Sequence, residues 1–429
     1  MVHAVNPRAP DTASFADAIG IVVAVALLCA GSRWLARRSL QEYSTCHRHI
    51  VGMALATSML LTLAYGWMVV ASPQLFDLLS TDAGSYHEAA VTISDHWYRL
   101  PATGYPDRAV FLYLLAAVHW LFGANAFVSV VVNAALVGVS LMLVVDVTRL
   151  LAGPRPAVTA AVLFAALPVV PIWGGPPLRE SLVMALTLGF ANLAMRLSQK
   201  PSPQRLLGMA VLFAVTARTR QVQVLAMLGG AGAGALAAAL GRRRGRWALS
   251  WVLPVGALLA LAALLALGPR LSRYAWMAAE TTQVTYRNLQ FDAATSIGGP
   301  GPLTPTSPTQ LLLRLPLATV RFLWGPFPGE LPLSHSVFYL EAVMWWVLTP
   351  LAALGGWLAA VWRRPEALVL ATMAMIQAAI GGVTLGNYGI VSRMRLSVWV
   401  LLVPLAAWGA CSVFERITAR SDEPAVAAR

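Results

Sequence analysis

The residues best suited to chemistry are concentrated in one polar stretch, residues 81–108, which directly follows an apolar run at Ile50–Ala71. The ionisable side chains at its start are Asp82, His87, Glu88, Asp95 and His96. A carboxylate in such a stretch can act as a general base toward a hydroxyl group. Because the preceding apolar run is long enough to cross a bilayer, we expect these side chains to lie at a membrane surface.

Three later segments are predicted to bring arginines to the same surface. They contain Arg179 beside Glu180, Arg218 with Arg220, and Arg393 with Arg395. A guanidinium group binds phosphate through two parallel hydrogen bonds, and an ionisable group at a membrane edge usually has a partner or a ligand. A carboxylate facing several arginines therefore predicts group transfer onto or off a phosphorylated lipid. Beside the acid Asp82, the residues predicted to bind substrate are Tyr86, His87, Glu88, Arg179, Glu180, Arg218, Arg220, Arg393 and Arg395.

Plainer structural roles are open for most of these residues. Asp82 stands where a helix N-cap is expected, although one residue can both cap a helix and react. Solvated charges, local ion pairs or interfacial side chains would account for Glu88, Asp95, Arg179, Glu180, Arg218 and Arg220. His87 and His96 lack the spacing of metal ligands, so no metal site is predicted. Arg393 and Arg395 are expected to point to one side of an extended turn, which favours contact with a ligand.

The composition identifies a polytopic membrane protein. Of the 429 residues, 58% are hydrophobic and only 11% are charged, and the mean hydropathy is +0.67. A soluble protein has no use for so much apolar surface. The net charge of +13 comes from arginines in short segments between apolar runs, which indicates membrane orientation and excludes a nucleic-acid partner. Three cysteines far apart in sequence predict neither a metal site nor a disulfide framework.

The apolar runs predict an all-α transmembrane bundle of about eleven spans, with the N-terminus outside and the C-terminus inside. The predicted spans are Phe15–Gly31, Ile50–Ala71, Phe127–Leu151, Val158–Trp173, Leu182–Leu197, Leu206–Ala217, Val222–Leu240, Trp247–Leu267, Val337–Trp362, Leu368–Leu385 and Leu396–Phe414. One membrane domain is predicted, with external loops at 72–109 and 268–335 and a cytoplasmic tail at 415–429. Interfacial helices are expected at Val110–Phe122 and Gln310–Trp324. Asp146 is expected to pair with Arg149 near the cytoplasmic side.

The order of these parts resembles the GT-C superfamily, the polytopic glycosyltransferases that include the protein mannosyltransferase and aminoarabinose transferase group. The resemblance rests on DAGSYHEAA, GYPDRAVFLYLLAAVHWLFG, AVTARTRQVQVL, RFLWGPFPGELP and NYGIVSRMRLSVWVLLVPLAAWG, and it extends over most of residues 50–414. It implies a polyprenyl-phosphate sugar as donor, inversion at the sugar, and an aspartate of the first external loop as base. That base would be Asp82, and Arg218, Arg220, Arg393 or Arg395 would hold the phosphate.

This sequence departs from the family in having Asp82–Ala83 where the family has a pair of carboxylates. The single carboxylate favours a metal-independent enzyme, so no cofactor is predicted. The predicted function is transfer of a sugar from a polyprenyl phosphate to a glycan, lipid or protein hydroxyl, on the extracytoplasmic side of a bacterial cytoplasmic membrane. An O-antigen-type polysaccharide polymerase or ligase is the alternative. A lipid-linked-glycan transporter ranks third, because the spans hold few polar residues.

Overall fold

The computed structural model describes residues 43–72, 81–95, 108–220, 222–241, 308–328, 330, 336–384 and 388–422, and every regular element in these ranges is an α-helix. The helices are α1 (Thr45–Ala71), α2 (Thr81–Asp95), α3 (Ala109–Phe122), α4 (Ala126–Ala152), α5 (Pro154–Ala166), α6 (Val169–Gly174), α7 (Glu180–Gln199), α8 (Pro203–Ala217), α9 (Val222–Gly241), α10 (Pro308–Trp324), α11 (Ser336–Val361), α12 (Ala367–Thr384) and α13 (Tyr388–Asp422). The predicted all-helical class is confirmed.

Helix boundaries follow ordinary capping chemistry. The Ser44 hydroxyl accepts a hydrogen bond from the backbone N–H of His47 and starts α1, and the Asn125 side chain does the same for Phe127 at the start of α4. These side chains satisfy backbone donors that have no partner inside the helix. Helix α4 ends at Gly153, whose φ of 91° favours glycine, and Pro154 then opens α5.

Helices α4 and α13 are the centre of the bundle. Helix α13 packs against α4, α5, α7, α11 and α12, and α4 packs against α1, α5 and α7 as well. Five helices are long and apolar enough to cross a membrane among the described residues: α1, α4, α7, most of α11 and most of α13. The chain is therefore a multi-pass membrane protein. Two predicted spans, Phe15–Gly31 and Trp247–Leu267, lie outside the described residues, so the total of eleven stays a prediction.

Two sequence predictions about local structure were wrong. The span predicted at Val158–Trp173 is broken, because Pro168 disfavours a helical conformation at Leu167 and the chain restarts as the short helix α6. The extended turn predicted around Arg393 is instead the first part of α13, which starts at Tyr388 and not at Leu396. Residues two apart in a helix lie about 200° apart around its axis, so Arg393 and Arg395 point to opposite sides.

Helix α7 defines two ends of the bundle. Its 20 residues make it roughly 30 Å long, the thickness of a hydrocarbon core, so the Glu180 end and the Arg196 end lie at opposite membrane surfaces. At the Arg196 end, Asp146 accepts hydrogen bonds from Arg196 at 2.6 Å and Arg149 at 3.2 Å. Asn192 donates to the same carboxylate at 2.7 Å. The expected pairing of Asp146 with Arg149 is present.

Close contact between α11 and α13 depends on glycine. A Cβ added at Gly355 would collide with the backbone carbonyl of Leu405, whereas one added at Gly356 would meet no atom within 4 Å. Both substitutions to alanine raise helix propensity equally, so they differ only in this contact. We expect Gly355→Ala to lower the free energy of unfolding by about 1–3 kcal/mol. Gly356→Ala should leave the unfolding midpoint in detergent unchanged or slightly higher. Equal midpoints for the two variants would contradict the close packing.

Candidate active site

Asp82 lies in the first turn of α2 and faces two arginines from other parts of the chain. Its Oδ2 accepts a hydrogen bond from Arg393 Nη1 at 2.7 Å, and its Oδ1 lies 3.4 Å from Arg108 Nη1. The Asp82 side chain is 35% exposed while Arg393 is 13% exposed. Arginines therefore face both oxygens of the carboxylate, and its partial exposure leaves room for a ligand to approach.

Arg393 bridges two carboxylates that are far apart in sequence. Its Nη1 binds Asp82, and its Nε donates to Glu180 Oε1 at 2.5 Å. Arg220 donates through Nη2 to the same Glu180 oxygen. The Glu180 side chain is 1% exposed, so its charge is supported by two guanidinium groups and not by water. One ion-pair network thus joins four segments of the chain: α2, the start of α7, the turn after α8, and α13.

A tight hairpin before α7 places Glu180 in this network. Asn133, in the first third of α4, donates to the backbone carbonyls of Pro176 and Leu178 and accepts a hydrogen bond from the Ser181 hydroxyl at 2.6 Å. Without Asn133, these two backbone carbonyls would lack a hydrogen-bond partner, and an unpaired carbonyl group in an apolar environment is costly. The neighbouring Arg179 donates to the backbone carbonyl of Thr219 at 2.8 Å. The hairpin is therefore tied both to α4 and to the turn that follows α8.

We call the charged residues at this end the Asp82 cluster. They are Asp82, Arg108, Arg179, Glu180, Arg220 and Arg393. Among the described residues the cluster holds four arginines and two carboxylates, which leaves a net charge of +2. An excess of positive charge among fixed side chains favours an anionic ligand. A phosphate group is the chemical match, because fixed guanidinium groups bind its oxygens in pairs.

The Tyr86 hydroxyl and Glu180 Oε2 are buried at the cluster without a hydrogen-bond partner among the described residues. Tyr86 follows Asp82 by one helical turn on the same face of α2, and the Arg108 guanidinium lies 5.1 Å from the centre of its ring. Burial raises the pKa of the Tyr86 hydroxyl, and the positive charges of Arg179 and Arg393 oppose that rise. The hydroxyl therefore remains a proton donor at neutral pH.

The other residues predicted to bind substrate lie elsewhere. Glu88 is exposed and lies about 120° around the axis of α2 from Asp82. Arg218 is exposed at the end of α8. Arg395 is 1% exposed and lies 3.6 Å from Glu341; it donates hydrogen bonds to the backbone carbonyls of Arg321, Phe322 and Gly325. In the described structure Arg395 therefore fixes the end of α10.

His87 points away from the Asp82 cluster and stacks edge-on against His119, with their ring centres 5.1 Å apart. His119 Nε2 lies 2.9 Å from the Ser129 hydroxyl. Burial, and then the nearby His87, lower the pKa of His119 to about 3, and burial lowers the pKa of His87. Both imidazoles are therefore neutral at physiological pH. Among the described residues no group of three or more histidine, cysteine or acidic side chains comes together as a metal site would require.

These buried histidines predict acid sensitivity. Above pH 6.5 His119 is neutral both folded and unfolded, so it contributes no pH dependence there. Below pH 6.5 His119 takes up a proton in the unfolded chain but stays neutral in the folded chain. The free energy of unfolding therefore falls by about 2 kcal/mol at pH 5. His119→Phe should flatten the fall in the unfolding midpoint between pH 7 and pH 5, while His49→Phe, on an exposed site, should not. An unchanged slope in His119→Phe would show that another group is responsible.

Sequence reasoning missed two residues of the site. Arg108, the residue just before α3, was part of the polar stretch but was given no role. Asn133 was also missed, although a single asparagine within an otherwise apolar span is itself a signal, because a polar group there needs a buried partner. Neither residue shows in sequence which atoms it would contact, since the partners lie 26 to 48 residues away.

Comparisons with known proteins agree with this architecture. Residues 107–268 match the family model described as dolichyl-phosphate-mannose-protein mannosyltransferase. No curated protein sequence matches the chain. Among solved structures, the archaeal oligosaccharyltransferase AglB from Archaeoglobus fulgidus, in complex with an inhibitory peptide and a dolichol-phosphate, has a similar fold. It is 16% identical, with a TM-score of 0.54, over 91% of this chain and 53% of that one.

Two further structures of the Archaeoglobus fulgidus oligosaccharyltransferase are similar to this chain. The apo form is 17% identical with a TM-score of 0.52, over 91% of this chain and 53% of that one. The form tethered to an acceptor peptide containing the NVT sequon is 16% identical with a TM-score of 0.54, over 88% and 51%. The chain spans about half the length of the solved proteins it matches. At these identities the likeness establishes the fold alone, and that fold is the one the sequence resemblance predicted.

Proposed function

We propose that this chain is a member of the GT-C superfamily and an integral-membrane glycosyltransferase that uses a polyprenyl-phosphate sugar as donor, in keeping with the family model that residues 107–268 match and with the similar fold of a solved oligosaccharyltransferase. The observation that supports this most is the bridge from Asp82 through Arg393 to Glu180. It joins a carboxylate that can take a proton to guanidinium groups that can hold a phosphate. The acceptor is a hydroxyl of a glycan, lipid or protein on the extracytoplasmic side of the membrane.

In the proposed reaction Asp82 removes the proton of the acceptor hydroxyl as its oxygen bonds to the anomeric carbon of the sugar. The bond between that carbon and the phosphate oxygen breaks on the opposite face, so the sugar is inverted. Polyprenyl phosphate leaves, and the proton remains on Asp82 until solvent takes it. The 35% exposure of the Asp82 side chain is consistent with both steps, because the acceptor and water must reach it.

The charge of the Asp82 cluster suits the leaving group. A glycosyl phosphodiester carries one negative charge, and the phosphomonoester released from it carries close to two. The cluster's net charge of +2 therefore complements the product phosphate better than the bound donor. Groups fixed by buried ion pairs need no rearrangement as that charge develops, which is the condition for effective electrostatic catalysis.

The Tyr86 hydroxyl and Glu180 Oε2, which have no hydrogen-bond partner among the described residues, are suited to binding the sugar. Glu180 Oε2 can accept a hydrogen bond from a sugar hydroxyl, and the Tyr86 hydroxyl can donate one. Because the guanidinium of Arg393 already lies between the two carboxylates, we propose metal-independent transfer. The residues proposed to touch donor or acceptor are thus Asp82, Tyr86, Arg108, Arg179, Glu180, Arg220 and Arg393.

The proposal is tested by turnover in proteoliposomes. Protein reconstituted with radiolabelled polyprenyl-phosphate mannose, as a probe of the donor class, should release polyprenyl phosphate only when solubilised envelope material is added as acceptor. Arg393→Gln should abolish that release, and Lys200→Gln, at the Arg196 end, should retain it. Movement of labelled lipid between leaflets without acceptor would instead identify a transporter. Chain extension from lipid diphosphates that does not need Asp82 would identify a polymerase.

A further inference from the structure

A cleft lies at the opposite end of the bundle from the Asp82 cluster, where α4 turns into α5 and meets the ends of α11 and α13. Its volume is about 610 Å³. Arg155, Arg364 and Arg416 line it together with a single acid, Glu415. The lining therefore has a net charge of +2. This cleft is not part of the reaction proposed above, because the 20-residue length of α7 separates the two ends.

The cleft has both charged and apolar walls. Leu151, Leu358, Trp362 and Trp408 contribute the apolar side, and the Trp362 side chain is 69% exposed. Tryptophan at the end of a membrane-spanning helix is typical of headgroup depth, where one part of the ring is apolar and another is wet. The arginines are thus at the level of lipid phosphates, with apolar surface directly below them.

The turn after α11 holds Arg364 in this place. The backbone N–H of Arg364 donates to the backbone carbonyl of Ala359 at 2.7 Å, and the backbone N–H of Arg363 donates to that of Ala360 at 3.1 Å. This is the hydrogen-bond pattern in which a helix usually ends on glycine, but here Arg363 has the left-handed conformation with φ of 51°. The strained backbone is at Arg363, and this turn fixes the backbone position of the next residue, Arg364.

The existing ion pair leaves most of this charge available. Arg155 and Glu415 are 3.8 Å apart, with side chains 77% and 61% exposed, and such exposed pairs are weak. A lipid phosphate could replace the Glu415 contact without breaking a buried network. This contrasts with Asp146, whose carboxylate accepts three hydrogen bonds at the same end of the bundle.

We propose that this cleft binds the phosphodiester headgroup of an anionic phospholipid from the leaflet opposite the Asp82 cluster. The arginines would contact the phosphate oxygens, and the tryptophans and leucines would contact the glycerol and upper acyl chains. Basic pockets between membrane helices commonly bind lipids in this way. The occupied site would add a contact shared by α5, α11 and α13 at this end of the bundle.

The test is lipid binding by the full chain, measured by native mass spectrometry and by the unfolding midpoint in mixed micelles. Phosphatidylglycerol should bind at least tenfold more tightly than phosphatidylcholine. Combined replacement Arg155→Gln, Arg364→Gln and Arg416→Gln should abolish that preference. A matched control, Arg48→Gln, Lys200→Gln and Arg363→Gln, removes the same charge from exposed positions outside the cleft lining and should retain it.

Several results would overturn the proposal. Equal loss in the two triple variants would mean that general surface charge, and not the cleft, attracts the lipid. If millimolar inorganic phosphate raised the unfolding midpoint as much as phosphatidylglycerol does, the cleft would be a site for a free anion. Formation of a dimer that covers the cleft in place of lipid would mean that a second copy is the occupant. Since none of the replaced residues belongs to the Asp82 cluster, failure here leaves the proposed transferase reaction intact.

Discussion

Asp82→Asn is expected to lower the rate of sugar transfer by roughly 10²–10⁴-fold, the usual contribution of a general base. The amide keeps the size of the side chain and one hydrogen-bond acceptor for Arg393, but it cannot take a proton. Donor binding should be unchanged or tighter, because the substitution removes a negative charge beside the phosphate. Turnover and donor affinity are measured separately in proteoliposomes, so a loss of kcat with retained binding identifies the base.

Asp95→Asn is the matched control for this variant. Asp95 lies at the other end of α2 and is exposed, so the same substitution there should leave transfer unchanged. Full activity of Asp82→Asn would refute its role as base and favour a polymerase or ligase, which does not require the loop carboxylate. Equal loss in both variants would point to damage to α2 as a whole.

Glu180→Gln is expected to have the largest effect on stability and also to abolish transfer. The substitution leaves Arg220 and Arg393 close together without their shared carboxylate, and removing one partner of a buried ion pair typically costs about 3–5 kcal/mol. The unfolding midpoint in detergent measures that cost. Arg393 would also lose one of its two anchors, so its hold on Asp82 would loosen.

A second substitution tests whether the loss is electrostatic. Adding Arg220→Met to Glu180→Gln removes the unpaired charge at similar size, so stability should largely return while transfer does not. Glu366→Gln, at the half-buried surface near Gln199, is the control and should change neither quantity. If the double variant were as unstable as the single one, packing and not charge would explain the effect.

Much of the fold could be predicted because a membrane limits the possible structures. In a bilayer every backbone group must be bonded internally, so long apolar runs can only be helices. A helix is expected at Val110–Phe122 and is found at Ala109–Phe122; its place at the membrane interface stays a prediction. The failures lie where a local signal was overlooked. Pro168 breaks a predicted span, and a helix extends through a segment that was read as a turn because it carries two arginines.

The site could be anticipated only in its residue types. The sequence predicts that Asp82 shares a cavity with arginines from distant segments, and the structure brings Arg393 to it at 2.7 Å. It could not separate Arg393 from Arg395, since that choice depends on the local helix and on the neighbours at each side. It also could not show that Glu180 would be the shared partner of two arginines, which depends on the hairpin that Asn133 holds.

Phosphate binding by the Asp82 cluster is tested by the affinity of the protein for undecaprenyl phosphate compared with undecaprenol, which lacks only the phosphate. The wild type should bind the phosphorylated lipid at least tenfold more tightly. Replacing Arg220 and Arg393 with glutamine should remove the difference, and the triple variant of the opposite cleft should keep it. Equal affinity of the wild type for the two lipids would contradict a phosphate-binding role for the Asp82 cluster.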